Sequence, residues 1–306
     1  MKDEELSAYY RNCHLCPRNC GVDRSSLVRG ICGEGAIVRA ACAVLHRGEE
    51  PPVAGEKGSG ALFFTGCSLG CNFCQNRQIS SGGYGGELTV EELAGLFSRL
   101  EKEGAETIDL VTAAHFAPSV VTALEMASVK IPVVWNGSGY ESLSTLDLIE
   151  PLIDIHLPDL KTLSSERARR LFRAPDYPAV ARAAVERMSR SHPLEYKHGR
   201  LVRGVIVRHL VMPGLIEESK ELLRWYAEHL ADKTLLSLMV QFVDIDGGDD
   251  GPVIDEAQYD ELVDFLDELG IEEGFIQESG DERPWIPDFT RDNPFPSAFS
   301  RPVWHC

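Results

Sequence analysis

Positive charge is scarce in this sequence: 30 Lys and Arg stand against 48 Asp and Glu, a formal net charge of −18. A surface of that sign repels a phosphate backbone, so nucleic acid is not an expected partner. The local run Arg167, Arg169, Arg170 and Arg173 reads as the solvated side of a helix. Long apolar runs are also missing. The longest, IDLVTAAHFAPSVVTALEMA, is broken by Asp109, His115, Pro118 and Glu125, so it does not span a bilayer, and no segment resembles a secretory signal. The expectation is a cytoplasmic protein with no membrane contact, in a compartment that keeps thiols reduced. Internal repeats are absent. The acidic stretch DIDGGDDG, Asp244 to Gly251, lacks the calcium-loop pattern because Gly248 and Asp249 stand where that loop needs a ligand and a glycine, and it reads as a solvated loop. Cysteine is missing from most of the chain, with Cys306 alone beyond residue 74.

The other eight cysteines lie before residue 75, and that crowding points to metal or redox chemistry rather than to disulfides. Up to residue 60 the chain is rich in Cys, Gly and Arg and shows little periodicity, which suggests a metal-binding N-terminal extension (1–60). From Ala61 strand and helix signals alternate. ALFFT, TIDLVT, IPVVW, LIDIHL, VRGVIVRHLV and LLSLMVQFV read as strands, each followed by a helical segment, and IEEGFIQ adds a short last strand. Thr89 and Glu92 form a capping box ahead of Leu93, Leu96, Phe97 and Leu100. Six strand–helix units in strict order predict an α/β fold of parallel strands with right-handed crossovers: a partial TIM barrel over 61–277, with a doubly wound open sheet as the alternative. The tail, 278–306, carries Trp285, Phe289, Phe295, Phe299 and Trp304, too much apolar area to leave in solvent, and is expected to pack on the barrel or cover its mouth.

Within TGCSLGCNFCQNRQ, directly after the first barrel strand, Cys67, Cys71 and Cys74 have the spacing C-x3-C-x2-C. Thiolates are soft ligands that suit iron–sulfur clusters, zinc or Cu(I). A four-iron cube held by three cysteines leaves one iron free for a small molecule. Two other readings stay open: a helical face of core cysteines, opposed by Gly66, Gly70 and Asn72, and a zinc site borrowing Cys42 or His46. Upstream, Cys13, Cys16, Cys20 and Cys32 form C-x2-C-x3-C-x11-C, a closed set of four thiolates for zinc or an auxiliary [4Fe-4S] cluster. Zinc would act as a structural plug, while a cluster could relay electrons or anchor substrate. Cys42 reads as a buried thiol, and Cys306 as an exposed one or an occasional ligand.

With Phe73 as its aromatic, the C-x3-C-x-aromatic-C loop resembles the signature of the radical S-adenosylmethionine (SAM) superfamily. CHLCPRNCGVDR, FFTGCSLGCNFCQNRQIS, DLVTAAHFAP, WNGSGYESL, DIHLPDLK, RAPDYP and VRHLVMPG together resemble a branch related to pyruvate formate-lyase activating enzymes, whose members carry the activator label without an established substrate. The resemblance implies a [4Fe-4S] cluster on Cys67, Cys71 and Cys74 with SAM chelating the open iron. One electron then cleaves SAM, and the resulting 5'-deoxyadenosyl radical abstracts hydrogen. It further implies an electron donor such as flavodoxin or ferredoxin, and as substrate a glycyl radical enzyme or, alternatively, a small molecule or peptide. A non-catalytic iron–sulfur or zinc protein is the reading from another class. The activators' Gly-Gly-Glu after strand two is replaced here by Thr112-Ala113-Ala114-His115, which makes Thr112 and His115 candidate contacts to SAM, a packed histidine being the other reading of His115; Gly85-Gly86-Glu87 spells the tripeptide at another place in the chain. Asn136, Asp159, Lys161 and Arg208 match the activators' polar positions near SAM, Asp159 and Lys161 also falling at a predicted strand's C-terminal end. Alternation turns His209 to the opposite side from Arg208.

Overall fold

A computed structural model describes residues 1, 3–240, 242–243, 254, 256–277 and 286–306. The Asp244–Gly251 loop and Trp285 lie outside the described residues. Helix α1 (Asp3–Arg11) leads through the cysteine-bearing loops into strand β1 (Val38–His46). The one-turn helix α2 (Pro51–Ala54) turns the chain into β2 (Ser59–Phe64), which ends at the three-cysteine loop. Short α3 (Arg77–Ser80) and β3 (Gly86–Leu88) follow. Strand and helix then alternate through α4 (Val90–Lys102), β4 (Ile108–Val111), α5 (Ala117–Ala127), β5 (Val133–Gly137), α6 (Leu143–Ile149) and β6 (Ile155–Pro158). After the pair α7 (Ser165–Phe172) and α8 (Tyr177–Ser191) comes a hairpin of β7 (Glu195–Lys197) and β8 (Arg200–Leu210). The rest is α9 (Ile216–His229), β9 (Leu235–Met239), α10 (Glu256–Glu268), β10 (Gly274–Ile276) and β11 (Ser300–His305).

The strands join one sheet in the order β10-β9-β8-β6-β5-β4-β2-β1-β11. From β2 to β10 every pairing along this path is parallel, as connections through helices require. β1 and β11 extend the sheet antiparallel. The sheet is not closed, yet it curls: Phe63 of β2 and Phe275 of β10, near its two flanks, line one chamber. It is a partial barrel.

Local chemistry sets the helix starts. The Thr89–Glu92 capping box is made in both directions, Ser142 accepts the Thr145 amide ahead of α6, and Ser164 accepts that of Arg167 ahead of α7. On α7 the side chains of Arg169 and Arg170 are exposed, while Arg167 is paired with Glu218. β1 falls within the first sixty residues, where little periodicity is visible. Eight of its nine residues are buried, so its sequence VRAACAVLH has no polar alternation to betray a strand. In the tail, Phe289 and Phe295 pack on Phe63 with ring centroids 5.6 and 5.1 Å away, and β11 zips onto β1. Among the described residues no helix is long and apolar enough to cross a membrane.

Candidate active site

The three-cysteine loop leaves β2 through a turn that only glycine fits. Gly66 has φ +74°, and a Cβ there would lie 2.4 Å from the Glu34 side chain and 2.7 Å from the Cys32 carbonyl oxygen. The loop then runs Cys67 to Cys74 along the C-terminal ends of the parallel strands, where barrel enzymes keep their chemistry. Backbone bonds fix it from both sides: the Cys67 amide donates to the Cys32 carbonyl (3.1 Å), and Asn72 to that of Leu171 (3.1 Å). Arg18 clamps it from outside. Its guanidinium donates to the carbonyls of Ser68 (2.8 Å) and Leu69 (3.0 Å), and to those of Phe172 (2.7 Å) and Arg173 (2.6 Å) at the end of α7.

Inside this ring lies a cavity of about 230 Å³. Cys67, Cys71, Cys74 and Phe73 form one wall, and Thr112, Asn136, Asp159, Lys161 and Arg208, at the strand ends, form the facing one. Phe73 packs edge-on to Phe172 and against Phe242. Burial pushes the Cys67 thiol up to about 11, with Cys74 adding to the effect, and burial raises Cys71 as well. Such thiols stay protonated until a metal displaces the protons.

The polar wall is one network. Asp159 accepts from Lys161 Nζ (2.7 Å) and Arg208 Nε (3.1 Å). Burial works against charge on Asp159, but Lys161 and Arg208 outweigh it and hold its pKa below the usual carboxylate range. Arg208 also donates to Asn136 Oδ1 and reaches Glu49 Oε2 at 3.4 Å. Asn136 donates in turn to Asp109 (3.2 Å), whose carboxyl is fully buried and held well above its normal range by burial and by Glu49. Thr112 has the left-handed φ of +61° and donates its amide to the Asn136 carbonyl. That is a strained conformation of the kind that collects at functional sites. The Tyr177 hydroxyl accepts from the Lys161 amide and donates to the carbonyl of Ser138 or Asp159, which sets the Asp159–Lys161 turn.

Of the candidate SAM contacts singled out from the sequence, His115 alone is not in the cavity wall. It is 1 % exposed and its Nε2 donates to the Thr65 carbonyl, bracing the end of β2, while burial pushes its pKa down to about 3. A neutral ring sealed in that way offers no contact to a ligand. His209 faces the opposite way from Arg208, bonded to Leu160 and to Ser219 of α9. Sequence reasoning passed over Glu49, Asp109 and Tyr177. Tyr177 sits in the quoted RAPDYP segment, whereas Glu49 and Asp109 carry no local signal.

The four N-terminal cysteines gather in loops under α1. Cys13, Cys16 and Cys32 are buried, and the sulfurs of Cys20 and Cys32 both lie beside Gly30. Arg24, 1 % exposed, donates to Cys13 Sγ (3.5 Å) and to the His115 carbonyl (2.6 Å) and lies over the Tyr10 ring. Among the described residues no three His, Cys, Asp or Glu side chains converge as tightly as one metal ion requires. A four-iron cube spreads its thiolates more widely than a single ion does, so the loop of Cys67, Cys71 and Cys74 retains a donor set suited to a cluster.

Residues 62–226, more than half of the chain, match the family model described as the Radical SAM superfamily. An uncharacterized protein of Methanocaldococcus jannaschii is 26% identical over 252 residues, which cover 79% of this chain and 69% of that protein. Among solved structures, Streptococcus suis SuiB bound to S-adenosylmethionine aligns with a TM-score of 0.48 at 13% identity, over 71% of this chain and 46% of SuiB. The chain thus spans less than half the length of SuiB. A domain of a pyruvate-formate lyase-activating enzyme from Bacteroides vulgatus aligns with a TM-score of 0.37 at 13% identity, over 53% of this chain and 91% of that domain.

Proposed function

This chain belongs to the radical SAM superfamily, and from that premise we propose that the cavity between Cys74 and Arg208 is where it holds a [4Fe-4S] cluster and SAM. Membership implies both groups. One observation carries their placement: three thiols and the Asp159–Lys161–Arg208 network face each other across a single cavity. Cys67, Cys71 and Cys74 would ligate three irons. When bound, the cluster supplies one electron that splits SAM into methionine and the 5'-deoxyadenosyl radical.

The chain's own residues then have separable tasks. Lys161 and Arg208 would be the cations that hold the SAM carboxylate, and Asp159 fixes both heads so that neither would need reorganising on binding. Phe73, wedged between Phe172 and Phe242, shields the cysteine wall from water. Thr112 and Asn136 present polar atoms from neighbouring strand ends. An external one-electron donor of the flavodoxin or ferredoxin type would reduce the cluster. For the radical's target we favour a small molecule or a peptide side chain over a glycyl radical enzyme, because Thr112-Ala113-Ala114-His115 stands in place of the activators' Gly-Gly-Glu.

Anaerobically reconstituted, reduced protein is expected to release 5'-deoxyadenosine and methionine in equal amounts, and Cys71→Ala to bring this below detection. Intact, cluster-loaded protein that leaves SAM uncleaved overturns the reading.

A further inference from the structure

A second chamber, of about 290 Å³, adjoins the first and shares Glu49, Phe63, Arg208 and Met239 with it. It bridges the gap between the two flanks of the curled sheet. Glu49 and Glu50 come from the turn after β1, and Ser237 and Phe275 from β9 and β10. Its chemistry differs from that of the neighbouring cavity. There, two cations face Asp159. In the second chamber two adjacent glutamates face one guanidinium, Arg208, and that group is already committed to Asp159 and Asn136. Glu49 holds only the far side of Arg208, at 3.4 Å.

Glu50 is 9 % exposed, lines the chamber, and its Oε2 has no hydrogen-bond partner among the described residues. Burial, with Glu49 adding to it and Arg208 opposing, raises the Glu50 pKa, so without a donor this carboxyl holds its proton more tightly. A buried carboxyl oxygen left unpaired is costly, and such an atom commonly marks the place of a missing donor. His46 does not fill that place: among the described residues no hydrogen bond joins it to Glu50 Oε2. Its Nδ1 accepts from the Gly48 amide (3.1 Å), its ring packs edge-on to Phe295, and burial pushes its pKa down to about 4, so it brings no positive charge. A divalent ion is a poor candidate, since no third ligand converges among the described residues and Arg208 stands beside Glu49. The remaining walls include the rings of Phe63, Phe275 and Phe295, which suit methylene groups and cations alike.

We infer that this second chamber is the substrate end of the site and that it takes a protonated amine or guanidinium group, with Glu50 as its principal partner and Glu49 as the second. The group belongs to a free small molecule or to a side chain of a peptide, and the chamber's size admits one such group with its alkyl stem. The inference rests on the radical SAM reading of the adjoining cavity, which would hold SAM beside this chamber.

The test is calorimetry on reconstituted holoenzyme with SAM bound, titrated with agmatine, with Gly-Gly-Lys-Gly-Gly, and with the neutral counterparts 1,4-butanediol and Gly-Gly-norleucine-Gly-Gly. Both cationic probes, or one of them, should bind at least tenfold more tightly than their neutral counterparts. Glu50→Gln should remove at least tenfold of that affinity, and Glu49→Gln should weaken binding as well. Preference for agmatine identifies a free amine as the source, and preference for the lysine peptide a polypeptide. Melting curves show whether each variant is folded; if Glu50→Gln is not, Glu49→Gln carries the comparison. SAM cleavage without probe is measured on the same preparation. Cleavage with no preference for the cationic probes overturns the chamber assignment and leaves the SAM reading intact, whereas absence of cleavage sinks the reading beneath it. Unaltered affinity in folded Glu50→Gln also overturns the assignment.

Discussion

Two groups of cysteines sit side by side in this molecule, and their surroundings differ in kind. Cys67, Cys71 and Cys74 line a cavity, with two cations and a strained threonine across from them. Cys13, Cys16 and Cys32 are packed into loops around a buried arginine, and none of them lines either of the two chambers described above. Burial pushes the Cys16 thiol up to about 12, with the neighbouring thiols adding to it, whereas Arg24 draws Cys32 the other way against the rise that burial causes. A closed set of thiols is the arrangement of a structural site, and an open one that of a catalytic site. Residue type is the same in both groups; access to an empty space separates them. The two are also joined mechanically. Arg18, from the loop between Cys16 and Cys20, holds the carbonyls of Ser68 and Leu69 in the open set's loop.

One serine in each group should separate the two. Cys74→Ser should cost at least a thousandfold in SAM cleavage and remove the cluster's absorbance, while the protein remains folded. Cys16→Ser should act on stability instead: lower soluble yield and a lower melting temperature, with cleavage per folded, cluster-loaded molecule within about fivefold of the parent. Metal analysis on both variants reads the two sites apart. Equal loss of cleavage per cluster in the two variants would mean the N-terminal group takes part in the chemistry.

A smaller effect is expected from cutting the link. Arg18→Ala removes four charge-assisted hydrogen bonds to backbone carbonyls in a half-buried position. Partial rehydration of those carbonyls limits the loss to about 2–4 kcal/mol of stability. Because two of the four carbonyls belong to the loop of Cys67, Cys71 and Cys74, the proposed cluster site, cleavage should also fall, by roughly tenfold, through a cluster that is lost more readily. Iron retention during gel filtration checks this. Arg18→Lys restores one or two of the bonds and should rescue only in part.

How much of this was readable in the chain follows from locality. The C-x3-C-x2-C loop, the Thr89 capping box and the strand–helix alternation are written in neighbouring residues, and each maps onto an observed element. Asn136, Asp159, Lys161 and Arg208 were placed by a family pattern plus their position at strand ends, and the structure brings them to one wall. What escaped notice depends on distant convergence. Strand β1 is buried on both faces and so has no alternation. Glu49 reaches Arg208 across 159 positions of sequence, and Asp109 touches Asn136 only because β4 and β5 pair in a given register. At His115 local sequence leaves two readings open, a ligand beyond a strand end or a packed histidine, and the tertiary fold decides between them: the ring turns inward to brace Thr65.

The smallest effect is expected at Glu141, in the loop between β5 and α6. Next to it, Ser142 and Thr145 donate to the Leu15 carbonyl of the N-terminal loops, while Glu141 itself faces the barrel side, near Asp159 and Lys161. It is 3 % exposed, its Oε2 is unpaired among the described residues, and burial, with Asp159 adding to it, pushes its pKa up to about 8. In the unfolded chain the same carboxyl titrates near about 4.3. The folded state therefore binds the proton more tightly, and stability declines as pH rises from the unfolded value through about 8, where the full penalty applies. Glu141→Gln removes the titration and keeps the shape. The variant and the parent should melt at similar temperatures at pH 5, and the variant should be ahead by a few degrees at pH 9. A gap that stays constant with pH would show that Glu141 is ionised in the fold at neutral pH, and that its neighbours on the barrel side hold it charged as they do Asp159.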